Sequence, residues 1–507
     1  MSTGQGAPDP VAARTPDSTR VPDSTRVPGV VVRVARDPRE IADAGALTAE
    51  AYHADRLLDE DDDYEVELRD AARRAREATL LVAVVTAAAS GAAVDADTVP
   101  APEAADTVPV PAAADAVPHG PAADVVVGTL TLAPYGSSYA EVAEPGEVEL
   151  RMLAVAPEAR RRGVAELLMS AALREVVATG ERRVVLSTLD AMTTAQRLYQ
   201  RLGFVAAPQR DWGHEGIRLR VRTWQAPVAP GVLVESATWP AVRSVDVDGW
   251  RLGLSGGFTR RANCVLALGS PADVEGALDA VERTYTAAGL PSVVRVCAAA
   301  RPLDLDARLE RRGYQVVART DVLVRSLVAG RGDDGRGDEA RVDGGWVDEA
   351  RVDGGRTRSV RARGDGAGDR VRDGAFRIDV DTEPDDDWLA GWLDVKSPGR
   401  ADVQTARAIV AGAPALYATA RDGVGVVGVI RAALVDDWVG LSCLMVAPRA
   451  RRGGVGRALT TRVLSRAAER GATRAFLQVE VANAAAGALY GSLGFRPAER
   501  YHYRTRG

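Results

Sequence analysis

The sequence predicts an α/β (α+β) protein in which folded units of one kind stand in tandem. Apolar strand-like runs alternate with helix-like segments, and one strand–turn–helix stretch occurs twice. In its second occurrence, at 444–459, an apolar run passes through arginines and glycines into a helix with Val455, Leu459 and Val463 on one face. At 507 residues with 46% hydrophobic residues, the chain has room for about three domains with cores of their own.

The two occurrences are separated by a constant distance in the chain. Landmarks of the first recur 291 residues later, and the match extends over some fifty positions without a gap. The matched pairs are Pro157/Pro448, Gly163/Gly454, Gly180/Gly471, Tyr199/Tyr490 and Phe204/Phe495. Such a match indicates an internal duplication of a folded unit.

A strand that runs through a glycine-rich turn into a helix is suited to holding phosphate. Glycine lets the backbone approach the ligand closely, and the free N–H groups of the first helical turn point at the anion. Arg451 and Arg452 add positive charge at the same turn. The sequence therefore predicts an anion-binding turn in each copy.

The remaining helices and strands are predicted from the spacing of apolar residues and from the turn-forming residues between them. In the first copy, apolar residues three or four apart predict a helix at 40–58 and a second at 65–77. Acidic runs at 59–63 and 381–387 are interpreted as helix starts rather than as lures for a cationic amine. Strands are predicted at 30–34, 78–85, 125–132, 147–155, 184–188, 375–380, 416–420, 425–434, 438–446 and 476–479, and a further helix at 386–393.

The run Arg451-x-x-Gly454-x-Gly456 resembles the acyl-CoA pyrophosphate loop of the GNAT superfamily of N-acyltransferases. Asn483 and the segment 486–495 resemble that family's closing "N…A…LY…LGF" signature, which the first copy repeats at 198–204. The resemblance implies GNAT-fold domains, each with a mixed, mostly antiparallel central sheet flanked by helices. It also implies acetyl-CoA as co-substrate, no metal, and a multi-domain member of actinobacterial type.

The resemblance further implies direct transfer, in which a neutral amine attacks the thioester carbonyl. A backbone N–H of the strand before the loop polarises that carbonyl, and Tyr490 and Tyr199 protonate the departing thiolate. Glu149 stands where many members of the family keep a general base. The residues expected to bind the cofactor are Leu444, Met445, Val446, Arg451, Arg452, Gly453, Gly454, Val455, Gly456 and Asn483 in the second copy, and Leu153, Ala154, Val155, Arg160, Arg161, Arg162, Gly163, Val164 and Ala165 in the first.

The copies differ at two of the predicted site residues. The catalytic roles given to Glu149 and to the two tyrosines also have structural alternatives. Met192 replaces Asn483 in the first copy, and Gly440 replaces Glu149 in the second. The second copy is thus left with Glu480 and the residues 501–503 as candidate bases, or with a base acting through a water chain. Glu149 has an alternative place on the solvent side of an alternating strand, and each tyrosine could be a core aromatic.

The domain organisation follows from composition and from the resemblance. Residues 228–326 end in a weak match to the closing signature, with Leu309 in place of the tyrosine and no Arg/Gly phosphate loop upstream. This segment resembles a degenerate GNAT half. Repeats rich in Ala, Pro, Asp, Gly and Arg indicate solvated, flexible segments. The predicted parts are a disordered tail at 1–28, an N-terminal GNAT domain at 29–226 with a low-complexity loop insertion at 87–123, the degenerate domain at 228–326, a low-complexity linker at 327–374 and a C-terminal GNAT domain at 375–507.

Composition limits the classes of function. The net charge of −6 gives no case for nucleic-acid binding, and the longest apolar run, 80–94, is shorter than the roughly 20 residues that span a bilayer. Three distant cysteines in apolar runs favour free thiols in a reducing compartment, and four scattered histidines have no metal-ligand spacing. We expect a cytoplasmic bacterial protein without a membrane or nucleic-acid partner.

The predicted function is an N-acetyltransferase acting on a small-molecule or peptide amine. Two alternatives use the same motifs: a protein in which only the last domain is active, and an acetyl-CoA-binding regulator without catalysis. The acceptor, the acyl-chain preference and the oligomeric state have no signature in the sequence.

Overall fold

The computed structural model describes residues 29–55, 57, 64–86, 124–214, 217–328, 371–373, 376–396 and 402–507. The predicted tail, acidic run 59–63, loop insertion and most of the linker lie outside these residues. The chain divides into two compact units. The first consists of Met1–Pro227, Arg319–Asp321 and Val479–Arg500, and the second of Val228–Ala318, Val322–Gln478 and Tyr501–Gly507. The predicted domain boundaries, which differ from this division, stay a prediction.

The first unit is built on an eight-stranded sheet in the order β1-β2-β3-β4-β5-β8-β6, with β7 paired to β8. Its strands are antiparallel except for the parallel pair β4 and β5. The helices α1 and α4 pack on β3 and β4. The elements are β1 (Val30–Val34), α1 (Pro38–Ala54), α2 (Tyr64–Arg69), α3 (Ala71–Glu77), β2 (Thr79–Val85), β3 (Val125–Pro134), β4 (Glu147–Val155), α4 (Val164–Ala178), β5 (Arg183–Leu189), α5 (Thr193–Arg201), β6 (Val205–Ala206), β7 (Trp212–His214) and β8 (Ile217–Gln225).

The second sheet has twelve strands, in the order β14-β15-β16-β17-β18-β19-β13-β20-β12-β11-β10-β9. The elements are α6 (Val232–Thr238), β9 (Arg243–Val247), β10 (Trp250–Leu254), β11 (Val265–Ala267), α7 (Val274–Ala287), β12 (Ser292–Val296), α8 (Leu305–Arg311), β13 (Gln315–Ser326), β14 (Val371–Asp373), β15 (Phe376–Asp381), α9 (Asp386–Lys396), α10 (Val403–Val410), β16 (Ala415–Arg421), β17 (Val426–Val435), β18 (Trp438–Val446), α11 (Val455–Glu469), β19 (Arg474–Glu480), α12 (Ala484–Ser492) and β20 (Arg496–Arg506). The predicted class, mostly antiparallel sheets flanked by helices in tandem, is confirmed.

The helix after each glycine turn forms as its sequence predicts. Val455, Leu459 and Val463 of α11 are all buried, so the apolar stripe faces the sheet. The predicted helix at 65–77, in contrast, is two helices, because Asp70 interrupts it. The Asp70 carboxylate accepts a hydrogen bond from the Arg73 N–H at 2.9 Å and so begins α3.

Arg496 joins the ends of two helices within the first unit. Its guanidinium donates to the carbonyl oxygens of Leu202 (3.0 Å) and Arg201 at the end of α5. It also donates to the carbonyls of Gly491 (3.3 Å) at the end of α12 and Phe495 (3.0 Å). The last turns of helices carry partial negative charge, so one cation stabilises both ends. Burial lowers the pKa of this guanidinium.

Within the described parts of the chain, no helix is both long and apolar enough to cross a membrane. The same residues contain no group of three or more histidine, cysteine, aspartate or glutamate side chains that could hold a metal ion. Cys264, Cys297 and Cys443 are not joined in disulfides, and Cys264 is buried.

Candidate active site

A bulge interrupts the strand before the glycine turn in both copies. Met152 of β4 and Cys443 of β18 have left-handed backbones, with φ of 55° and 58°. In both copies the register with the preceding strand shifts beside this residue. Such a conformation costs about 1–3 kcal/mol outside glycine and recurs at functional sites. The two bulges lie at matched positions, 291 residues apart.

The same two strands separate from the next strand along the sheet. The pairing of β4 with β5 ends at Glu149, although β4 continues to Val155. That of β18 with β19 ends at Leu441, although β18 continues to Val446. The two strands of each pair thus form a V, which opens toward the glycine turn. Beyond these points the strand edges leave backbone groups available to a ligand, and they include Leu153–Val155 and 444–446.

The turn between strand and helix has the geometry of an anion site. Arg161 and Gly163 are left-handed, with φ of 60° and 80°, and so are Arg452 and Gly454, with φ of 64° and 80°. Each glycine is the N-cap of a 15-residue helix, α4 or α11. Because glycine has no side chain, it does not cap the N–H groups of the first helical turn. Left-handed residues in such a loop turn successive N–H groups inward, and the helix N-terminus adds its partial positive charge.

The first arginine of each turn donates a hydrogen bond to a backbone carbonyl at the end of the preceding strand. Arg160 pairs with Asp55, with Nη1 2.6 Å from Oδ1, and its Nε donates to the Val155 carbonyl at 3.3 Å. Arg451 likewise donates to the Val446 carbonyl, at 3.4 Å. These arginines therefore hold the turn against the end of the bulged strand. Arg161, by contrast, is exposed beside the loop.

Glu149 lies inside the protein, at the last paired position before β4 and β5 separate. Its side chain is on a residue only 1% exposed, so the alternative place on the solvent side of the strand is wrong. Its Oε2 accepts hydrogen bonds from the N–H groups of Glu141 (2.8 Å), Val142 (2.8 Å) and Ala143 (3.2 Å). Burial raises the pKa of Glu149, and the backbone donors act against this rise.

Tyr199 lies on α5 with its ring against Phe204, at 5.8 Å between ring centroids. The residue is 7% exposed, and burial raises the pKa of its phenol to about 12. It therefore keeps its proton at neutral pH, as a general acid must. Tyr52 of α1 is a neighbouring phenol, because Tyr199 contributes to raising the pKa of Tyr52, although burial is the larger cause.

Tyr490 and Asn483 lie on and before α12, a segment that belongs to the first compact unit, whereas the turn at 451–456 belongs to the second. Tyr490 is 6% exposed and packs edge-on against Phe495, at 5.6 Å between centroids. Asn483 caps α12, because its side chain accepts a hydrogen bond from the Ala486 N–H at 3.2 Å. Met192, at the matched position before α5, makes no such cap bond.

The predicted bases of the second copy have other partners or remain at the surface. Glu480 is exposed. His502 Nε2 lies 2.8 Å from an oxygen of Asp306. The Tyr501 ring lies 3.8 Å from the Arg295 guanidinium carbon, and burial raises the pKa of Tyr503 well above its usual value.

The sequence interpretation missed a buried carboxylate in the second unit, Glu235 of α6. Its residue lies outside both copies of the repeated stretch, so no motif points to it. Arg295 and Gln478 both donate to its Oε2.

Comparison with known proteins identifies the class. Residues 105–204 match the model described as "Acetyltransferase (GNAT) family", and residues 356–504 match that described as "Probable histone acetyltransferase Rv0428c C-terminal". The protein is therefore a transferase, an acetyltransferase. More particularly, it contains a domain of the GNAT family.

The chain is also similar to individual proteins. The uncharacterized N-acetyltransferase YobR of Bacillus subtilis (strain 168) is 24% identical over 276 residues, which are 54% of this chain and 95% of that protein. A GCN5-related N-acetyltransferase from Kribbella flavida matches at 16% identity and a TM-score of 0.36, over 55% of this chain and 96% of its own. A tandem GNAT protein from the clavulanic acid biosynthesis pathway matches at 11% identity and a TM-score of 0.29, over 94% and 98%.

Proposed function

We propose that the protein transfers an acetyl group from acetyl-CoA to a primary amine by direct attack of the amine on the thioester. The observation that carries this proposal is the repeated combination of a bulged strand, an open strand edge and a left-handed glycine turn. It supports a bound acyl-CoA in each copy, with pyrophosphate on the turn and the thioester along the open edge.

In the first copy, three groups of the chain have separate roles in the reaction. The backbone N–H groups of Leu153–Val155 hold the carbonyl oxygen as negative charge develops on it. Glu149 takes the proton of the acceptor ammonium, for which a carboxylate with a raised pKa is suited. Tyr199 gives its proton to the departing thiolate and regains one from the acetylated nitrogen.

The second copy carries the same steps on its matched residues. The N–H groups of 444–446 hold the carbonyl, Tyr490 is the acid and Asn483 adds a bond to the pantetheine arm. The acceptor is a small molecule or a peptide amine. The name of the model matched by residues 356–504 supports including a histone peptide among the amines assayed.

The proposal is tested by acetyl-CoA calorimetry together with CoA release on a panel of amines. We expect two binding events per chain. Gly163→Asp and Gly454→Asp place a side chain and a negative charge where pyrophosphate lies, so each should lose one event. A single event in the parent protein would contradict two sites. Two events without CoA release on any amine would favour the acetyl-CoA-binding regulator.

A further inference from the structure

Glu235 is a buried carboxylate with one oxygen satisfied and the other not. The residue is 3% exposed. Its Oε2 accepts from Arg295 Nη2 at 2.7 Å and from the side-chain amide of Gln478. Its Oε1 is buried and has no hydrogen-bond partner among the residues that the structure describes. A buried acceptor without a partner is destabilising, so this atom requires an explanation.

The carboxylate lies where β18 and β19 separate. Gln478 directly follows Leu477, the last residue of β19 that pairs with β18. The helix α6, which carries Glu235, packs on β17 and β18. One turn after Glu235, Thr238 covers Gly440: a Cβ added at Gly440 would lie 3.0 Å from Thr238 Cγ2 and 2.8 Å from Phe476 Cζ. A side chain at Gly440 would therefore require Phe476 and Thr238 to move.

The matched place in the first copy also has a carboxylate. Gly440 corresponds to Glu149, and Phe476 to Val185. Val142 and Ala143, whose N–H groups hold Glu149, pack against the cluster that contains Val185. In the second copy, α6 takes the place of this loop. Each V therefore has an anchored carboxylate at the point where it opens, from β4 in one copy and from α6 in the other.

Cationic and polar groups also lie on the elements packed around α6. Arg295 comes from β12 and has the ring of Tyr501 (β20) against it, with Tyr503, Cys264 and Cys297 close by. Arg261 donates to Gln478 Oε1 at 3.0 Å, which orients the amide toward Glu235. Arg431 of β17 donates to the Thr238 carbonyl at 2.8 Å. Its Nη2 and the Ser442 Oγ of β18 are also buried atoms without partners in the described structure.

We propose that Glu235, which lies outside the duplicated motif, accepts the acceptor-ammonium proton at the second copy's V. This inference rests on the proposed function. The acceptor ammonium loses one proton to Glu235 Oε1, through a water that enters with it, and the neutral nitrogen then forms the new C–N bond. As the C–S bond breaks, the nitrogen's remaining extra proton replaces the one that the general acid gives to sulfur. Glu235 returns its proton to solvent.

The proposal gives the 228–326 segment a chemical role. That segment has no Arg/Gly phosphate loop of its own, yet it supplies a carboxylate to a copy that has the loop and a glycine, Gly440, where the first copy has its acid. The two parts are then one functional unit, and the second copy is incomplete without α6.

The test uses the full chain carrying Gly163→Asp, so that only the second site turns over. In this background Glu235→Gln should lower kcat at least tenfold and leave the acetyl-CoA Kd within twofold. Glu235→Asp, which keeps the charge, should recover part of the rate, whereas a side chain that served only packing would not be replaced by the shorter acid.

A matched control is Glu282→Gln. Glu282 is an ion-paired carboxylate of the same segment that contacts Arg312, Arg506 and Tyr314, and its loss should change the rate less than twofold. Turnover of Glu235→Gln within twofold of its parent would overturn the inference. Loss of acetyl-CoA binding together with turnover would also overturn it, since the carboxylate would then serve only packing. A parent that binds acetyl-CoA but acetylates no amine would instead refute the proposed function.

Discussion

At the scale of the residue, the tyrosines of the two copies have two explanations that burial alone does not separate. Tyr199 and Tyr490 both pack against the phenylalanine of their own closing signature, as core aromatics do. A phenol with a pKa near 12 also remains protonated and able to donate. Only the hydroxyl distinguishes the roles, so removing it is the decisive change.

Tyr490→Phe keeps the ring and its packing and removes that hydroxyl. Made in a Gly163→Asp background, it should leave the acetyl-CoA Kd nearly unchanged and lower the rate of CoA release at least tenfold. A tenfold loss corresponds to about 1.4 kcal/mol of barrier. Stopped-flow detection of free thiol measures the rate.

The reciprocal variant, Tyr199→Phe in a Gly454→Asp background, tests the first copy in the same way. If CoA release survives within twofold in both, the tyrosines are packing residues and the acid is elsewhere in the site.

The sequence predicted these side chains but not Glu235, for a physical reason. Motif reasoning compares positions along the chain, and it located the loss of a carboxylate at Gly440 correctly. The replacement comes from a residue 205 positions earlier, brought in by packing of α6 on the sheet. The sequence Val-Leu-Val-Glu-Ser-Ala-Thr of α6 has strong β formers, so local propensity did not indicate a helix either.

At the scale of the element, the strand–turn–helix was predicted most closely, because its glycines have a strict conformational task. A Cβ added at Gly454 would meet nothing within 4 Å, so its φ of 80° is the reason for glycine there. The neighbouring Gly453 has no such φ; its Cβ would lie 3.3 Å from the Ala450 carbonyl. The helix α10 was missed, although Asp402 caps it by accepting from Gln404 N–H.

Gly454→Ala should therefore lower the free energy of unfolding by about 1–2 kcal/mol, because alanine is strained in the left-handed conformation. The substitution adds no charge. Distortion of the N–H groups should weaken acetyl-CoA binding at one of the two sites by about tenfold, measured by calorimetry. Gly453→Ala is the matched control and should change the affinity less than threefold. Equal effects of both would show that bulk, not the left-handed turn, limits binding.

At the scale of the whole molecule, the composition of the sequence suggests continuous domains, whereas the contacts in the structure define two units made of separate stretches of chain. Repeats marked the low-complexity segments, whereas the compact units exchange short pieces: Val479–Arg500 belongs to the first unit and Tyr501–Gly507 to the second. Such exchange depends on long-range strand pairing, which leaves no local signal in the sequence.

The segment 330–366 should be dispensable for catalysis. It is low-complexity sequence, and changing the length of a flexible loop costs only about 0.6 kcal/mol per doubling. Deleting it should leave both acetyl-CoA affinities and kcat within twofold, with an unchanged thermal melting curve. Lost turnover in a folded, acetyl-CoA-binding deletion protein would reveal a binding role for this segment.

The pairing of β12 with β20 also has a consequence for how the protein is made. Ser292 is the register partner of Arg506, 214 residues later in the chain. At about 5–20 residues per second, a ribosome needs roughly 10–40 s between them. For that interval the β12 edge lacks its native neighbour, and exposed strand edges recruit other chains. Translation speed and chaperone supply should therefore govern the yield of this protein more than the stability of its finished fold.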